Sequence, residues 1–173
     1  MTDQPPQPPA EPISTPAIEA LASTGVAYRV VRTRRAASPE ESADLQGIPL
    51  GALLRTIVVR RAEDDYLFVL VPAGRHFDWP KLRAHLGVRR LTLPDADEAR
   101  SATGYERYTI TPFGAAHSWP AIVDATALEH HLVAVGGGGF GINVHISPLD
   151  LVRVLGADVA DVSVLEVIAG SSG

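Results

Sequence analysis

With 173 residues, 46% of them hydrophobic, the chain is long and apolar enough for one domain with a sizeable core. A formal charge of −5 argues against a generic nucleic-acid binder, and the absence of cysteine excludes disulfides, thiolate catalysis and zinc–thiolate sites. No apolar run approaches the ~18 residues of a membrane span, and the N-terminus lacks the basic and apolar regions of a signal peptide, so a soluble cytoplasmic protein is expected.

Residues 1–13 contain five of the 14 prolines and almost no large apolar group, which predicts a disordered tail. A single domain is expected over 14–168, with a frayed end at 169–173. The first helix is expected from Pro16 to Thr24, capped by Thr15 and ended by Gly25. Val26 to Val31 reads as a strand. Ser38-Pro39-Glu40-Glu41 has the spacing of a capping box, and Gly47 closes the helix it opens. Leu53–Arg60 and Tyr66–Val71 are β-rich runs joined as a hairpin through residues 61–65. Asp78 caps a short helix that ends at Gly87. Val88 to Leu93 reads as another strand, and Asp95 and Glu98 start a helix leading to Gly104. Ala121–Asp124, Leu132–Val135 and Ile142–Ile146 are strand candidates. Ser147-Pro148 opens a helix ending at Gly156, and a last strand is expected over Val162–Ile168. Short strands interspersed with helices indicate an α+β, mixed α/β fold: a central mixed, largely antiparallel sheet flanked by helices.

The most informative segment is Gly104-Tyr105-Glu106-Arg107-Tyr108-Thr109-Ile110-Thr111-Pro112-Phe113-Gly114. Glycine and proline at fixed offsets specify the backbone shape of a loop and leave its amides and carbonyls available to a ligand. The alternative is a plain turn between strands. Asp124, at the end of an apolar strand, is either a pocket acid or a turn cap. Gly136, Gly138 and Gly141 satisfy Gly-x-Gly-x-x-Gly, but the alternating Ile142–Ile146 that follows is a strand, which excludes a dinucleotide site and leaves a hairpin tip. The six histidines show no metal spacing. His130 and His131 are expected at the start of a strand. His117 and His145 could face a pocket or be ordinary polar positions. Trp79 and Trp119 read as packing residues. Arginines cluster at Arg29, Arg32, Arg34 and Arg35, at Arg60 and Arg61, and at Arg89 and Arg90, so a local patch could hold phosphates on an acidic protein.

In order and spacing, residues from about 17 to 162 resemble the YbaK family of aminoacyl-tRNA deacylases, related to the editing domain of bacterial prolyl-tRNA synthetases. The resemblance is carried by Glu40-Glu41, Arg55-Thr56-Ile57, Val71-Pro72, Asp78 to Leu82, Thr103-Gly104-Tyr105, the Pro112–Gly114 loop, Val123-Asp124, the glycine hairpin and Ser147 to Leu151. It implies a catalytic set of Arg55, Thr111, Pro112 and Gly114, and substrate contacts from Tyr108, Thr109, Phe113, Asp124, Gly138 and Gly139. The implied partner is the acceptor end of aminoacyl-tRNA, with no cofactor and no metal. The implied reaction is hydrolysis of mischarged tRNA carrying a small amino acid, alanine or cysteine on proline tRNA; the alternative is a degenerate binding or regulatory module. The chain departs from the pattern where the family strand starts with lysine and this one has Arg55, and where family glycines are replaced by Tyr108 and Thr109. Arginine keeps the charge but cannot act as a general base. Arg55 thus either faces a ligand or is a strand residue paired with an acid.

Overall fold

The computed structural model describes residues 14–166. Local cap chemistry starts most of its helices. In α1 (Pro16–Ala22) the Thr15 hydroxyl accepts from the Ile18 amide at 3.1 Å. In α2 (Pro39–Gln46) Ser38 accepts from the Glu41 amide at 3.1 Å. The capping box there is only half formed, because the Glu41 carboxylate pairs with Arg34 at 2.5 Å rather than turning back to Ser38. Asp78 caps α3 (Trp79–Leu86) and Asp95 caps α4 (Ala96–Thr103) in the same way. In α5 (Pro148–Leu155) no side chain caps the start. Gly47, Gly87, Gly104 and Gly156 end four of the five helices in left-handed conformation.

The strands are β1 (Tyr28–Arg32), β2 (Leu54–Ala62), β3 (Asp65–Pro72), β4 (Arg75–Phe77), β5 (Ala121–Asp124), β6 (Val133–Gly139), β7 (Ile142–Ile146), β8 (Asp158–Ala160) and β9 (Ser163–Leu165). They form an antiparallel sheet of order β1-β7-β6, a mixed sheet of order β2-β3-β5-β8, and the antiparallel pair β4-β9. A parallel bridge from Leu53 to Ala134 ties the first sheet to the second. In the mixed sheet β2 and β3 run antiparallel, whereas β5 joins β3 and β8 joins β5 in parallel. The β2–β3 turn is tighter than expected: Asp64 takes φ 53° and Arg61 forks onto Asp65 at 2.9 and 3.0 Å.

β3 is buried along nearly its whole length and divides the interior in two. Tyr66, Phe68 and Leu70 pack with Leu21 of α1, Tyr105, Phe113 and Val135. Leu67, Val69 and Val71 face Leu82 of α3, Leu91 and Val162. The alternation along β2 and β3 therefore feeds two cores, one on each face of the sheet.

Two expectations change, and two strands form where none was expected. Residues 88–93 make no strand, only a bridge from Thr92 to Arg60. Between Val88 and Thr92 only Leu91 is buried, so no apolar face exists to hold a longer pairing. The final strand is limited to Ser163–Leu165, and residues 167 and 168 lie outside the described part, as do both expected terminal tails. The three-residue strands β4 and β8 had no sequence signal; they exist through pairing with β9 and β5.

Candidate functional site

The Gly104–Gly114 segment is a folded loop held at both ends. Gly104 closes α4 at φ 81°. Tyr105 then turns inward, 5% exposed, and its hydroxyl donates to the Phe113 carbonyl at 2.7 Å. Burial pushes the Tyr105 phenol above its ordinary range, so it remains a donor at neutral pH. The Thr109 amide and hydroxyl both reach back to the Glu106 carbonyl, at 3.0 and 2.8 Å. Between them Tyr108 is held at φ 71°, a left-handed conformation that favours glycine. Its side chain is 77% exposed, so it does not fill the space inside the loop. Phe113 is buried in the first core and anchors the far end. Gly114, at φ 63°, lies directly on α1; a Cβ there would be 2.8 Å from the Ala17 amide nitrogen.

The loop carries unused polar groups. The Thr111 side chain is fully buried and its hydroxyl has no hydrogen-bond partner. Among the described residues, the amides of Thr111, Phe113 and Gly114 form no backbone hydrogen bond. A buried hydroxyl without a partner costs free energy, which a bound polar group would relieve. Gly136 of β6 closes against this point: a Cβ there would be 3.5 Å from the Ile110 carbonyl oxygen and 3.9 Å from Thr111 Cβ. At Gly138 a Cβ would be 3.0 Å from the Tyr105 ring, and at Gly139 it would be 3.0 Å from Ile142. Thr15 completes the assembly by donating its hydroxyl to the Gly137 carbonyl at 2.6 Å. Loop, glycine hairpin and the start of α1 are thus one packed unit, and the hairpin is followed by β7 rather than a helix.

Arg55 sits apart from that unit. It shares a face of β2 with Ile57 and Val59, which pack in the second core. Its guanidinium donates to the Arg75 carbonyl and lies 3.4 Å from Glu166, while its Nε is buried without a partner. Among the described residues, no hydrogen bond or ion pair joins Arg55 to residues 108–114. Asp124 is fully buried with both oxygens engaged: one accepts from the Thr126 amide and hydroxyl, the other from the Val162 amide at 3.1 Å. It holds the end of β5 to the chain entering β9. His145 is buried and hydrogen-bonded to Gln46 at 2.9 Å; burial, then the Arg29 charge, holds its imidazole below the ordinary range. Among the described residues no group of three or more potential ligands could hold a metal ion.

A sequence model described as the aminoacyl-tRNA editing domain matches residues 33–154. The chain belongs to this family. A curated relative from Enterococcus faecalis (strain ATCC 700802 / V583), named "Putative Cys-tRNA(Pro)/Cys-tRNA(Cys) deacylase EbsC", is 21% identical over 129 residues, covering 75% of this chain and 79% of that protein. The crystal structure of a protein called APE2540 superposes with a TM-score of 0.80 at 24% identity, over 87% of this chain and all of that one. A second, described as "a putative trans-editing enzyme for prolyl tRNA synthetase", gives 0.79 at 25% identity, over 88% of this chain and 99% of that one.

A cleft of about 700 Å³ in this editing domain lies away from the loop. It opens between the β2–β3 turn and α4, lined by Tyr66, Glu98, Arg60, His117 and Trp119 among others. Tyr66 donates to Glu98 at 2.6 Å, Arg60 approaches the same carboxylate at 3.4 Å, and the Trp119 indole donates to the Ala102 carbonyl at 2.8 Å. Tyr66, Glu98, Arg60 and the Trp119 indole thus have partners, whereas the buried Thr111 hydroxyl has none; the loop is therefore the better candidate site. Trp79 packs edge-on against Phe77 and Trp119 against Tyr66, as expected of packing residues. Sequence reading did not assign Tyr105 or Thr15 to the site. The Thr103-Gly104-Tyr105 turn was the available signal for the first; nothing local marked the second, whose contact spans 122 positions.

Proposed function

We propose that this editing domain is a trans-acting aminoacyl-tRNA deacylase that removes a small amino acid, alanine or cysteine, from mischarged proline tRNA. Membership of the editing family and the names of the relatives support the reaction class. The observation in the chain itself that carries the reading is the set of unengaged amides at Thr111, Phe113 and Gly114 beside the unpartnered Thr111 hydroxyl.

Ester hydrolysis passes through a tetrahedral intermediate whose oxyanion needs donors already in place. Backbone amides on a loop fixed by Tyr105, Pro112 and Gly114 supply them without losing side-chain entropy on binding. The nucleophile is water or a group of the substrate. It adds to the ester carbonyl carbon; the bond to the terminal ribose oxygen then breaks, and that oxygen takes up the proton that the nucleophile gives up. The loop stabilises charge and orients the ester, while Thr109, Phe113, Gly138 and Gly139 shape the space for a small side chain. Arg55 contributes positive charge from the sheet edge; permanent protonation bars it from proton transfer. Asp124 supports the site by holding β5.

The test is hydrolysis of a panel of mischarged tRNAs by the wild type, Arg55→Lys and Arg55→Ala. Wild-type turnover that falls about tenfold or more in Arg55→Ala, and is retained in Arg55→Lys, is expected for an electrostatic role. A silent wild type that Arg55→Lys awakens points instead to a degenerate binding module, a reading favoured by the engagement of Arg55 with Arg75 and Glu166. Inactivity of all three without tRNA binding contradicts both.

A further inference from the structure

Two of the exposed large hydrophobic side chains are aromatic, Tyr108 at 77% and Phe140 at 44% exposure, and each lies under a guanidinium. The Arg107 guanidinium carbon is 5.1 Å from the Tyr108 ring centroid, and that of Arg35 is 4.1 Å from the Phe140 centroid. Neither residue is explained by the fold. Tyr108 occupies a left-handed backbone position that glycine would take without strain, and its ring contributes little to the core. Phe140 tips a hairpin in which glycine occupies all five remaining positions from Gly136 to Gly141.

The two rings project from elements that pack on each other at the candidate loop, through Gly136 on Ile110 and Gly138 on Tyr105. The hairpin tip is fixed to the segment bearing Arg35, because the Thr33 amide donates to the Gly141 carbonyl at 2.8 Å. Among the described residues neither Arg35 nor Arg107 forms an ion pair, so both charges remain available. Arg29 and Arg32, exposed on the neighbouring β1, add to the positive field on a chain whose formal charge is −5.

We propose that Tyr108 and Phe140 are stacking platforms for the unpaired bases of a single-stranded RNA end, with Arg107 and Arg35 holding its phosphates. This rests on the deacylase reading for its substrate, since the ester to be cleaved sits at the end of such a strand. Aromatic faces accept any base and arginines hold any phosphate, which is how single strands are gripped without sequence preference. The tRNA end is thereby led along two rings to the loop.

The experiment measures binding of a short single-stranded RNA ending in CCA, and of a blunt duplex of the same strand, to the full chain and its variants. Wild type is expected to prefer the single strand. Tyr108→Gly and Phe140→Ala should each weaken it about tenfold, the loss of one stacked base. Tyr108→Phe should stay within about twofold of wild type. Tyr108→Gly should keep or raise the melting temperature, because glycine suits the backbone there, so the loss of binding cannot be misfolding. Equal affinity for duplex and single strand, no RNA binding by wild type, or two ring-less variants within about twofold of wild type would each overturn the proposal. Wild type that binds through the rings yet hydrolyses no mischarged tRNA removes the deacylase reading and leaves the platforms. Turnover with KM unchanged in both ring-less variants removes the platforms and leaves the deacylase.

Discussion

At the scale of single residues, side-chain chemistry is decided by the nearest charged or buried neighbour. The Glu98 carboxylate, accepting from Tyr66 at 2.6 Å, and the burial around it push the Tyr66 phenol up to about 12. A phenol whose folded value lies above its unfolded value of about 10 holds its proton more tightly when folded. Its contribution to stability is therefore complete below pH ~10 and disappears as pH rises from there through 12. Ultraviolet titration of wild type minus Tyr66→Phe should show a phenol ionising near 12; a difference curve centred near 10 would contradict the role of Glu98. Residue identity alone gave two readings of Asp124, pocket acid and turn cap, and only the folded chain shows both oxygens taken by Thr126 and Val162. The left-handed turn at Tyr108 was not read from the sequence, since tyrosine itself argues against it.

Among the elements, what was legible follows from the reach of the interactions that make them. Helix starts at Thr15, Ser38, Asp78 and Asp95 bond three residues ahead, so their sequence signals were sufficient. β4 and β8 are held by partners 88 and 36 positions away, at His76–Val164 and Ile122–Asp158, and three residues carry no periodicity to read. The loop lies between these cases. Its Pro112 and Gly114 announced a fixed shape, but its packing against α1 is long-range. Gly114→Ala is expected to cost roughly 2–4 kcal/mol, combining left-handed strain with a clash against the Pro16–Ala17 backbone. Gly87→Ala, at φ 67° with open space around it, should cost only about 1–2 kcal/mol. Chemical denaturation of both variants checks this, and equal costs would mean that the loop does not rest on α1 as described.

For the molecule as a whole, two cores flank one mixed sheet, and the loop, glycine hairpin and α1 gather at the first of them. The mixed α/β class and the family were readable because ordered motifs spread across the chain. The division of labour between the faces was not, because strand alternation says which residues are buried without saying against what. Arg55, grouped with the loop by the family resemblance, ties β2 to β4 and Glu166. A site in which backbone amides do most of the work, and the arginine serves from a distance, should discriminate by the size of the amino acid rather than by acid–base chemistry. The most direct test is the initial rate of ester hydrolysis by the wild type on proline tRNA charged with alanine, with cysteine and with proline. Faster hydrolysis of the alanyl or cysteinyl ester, with the prolyl ester spared, is the predicted result; equal rates on all three, or none on any, would contradict the account.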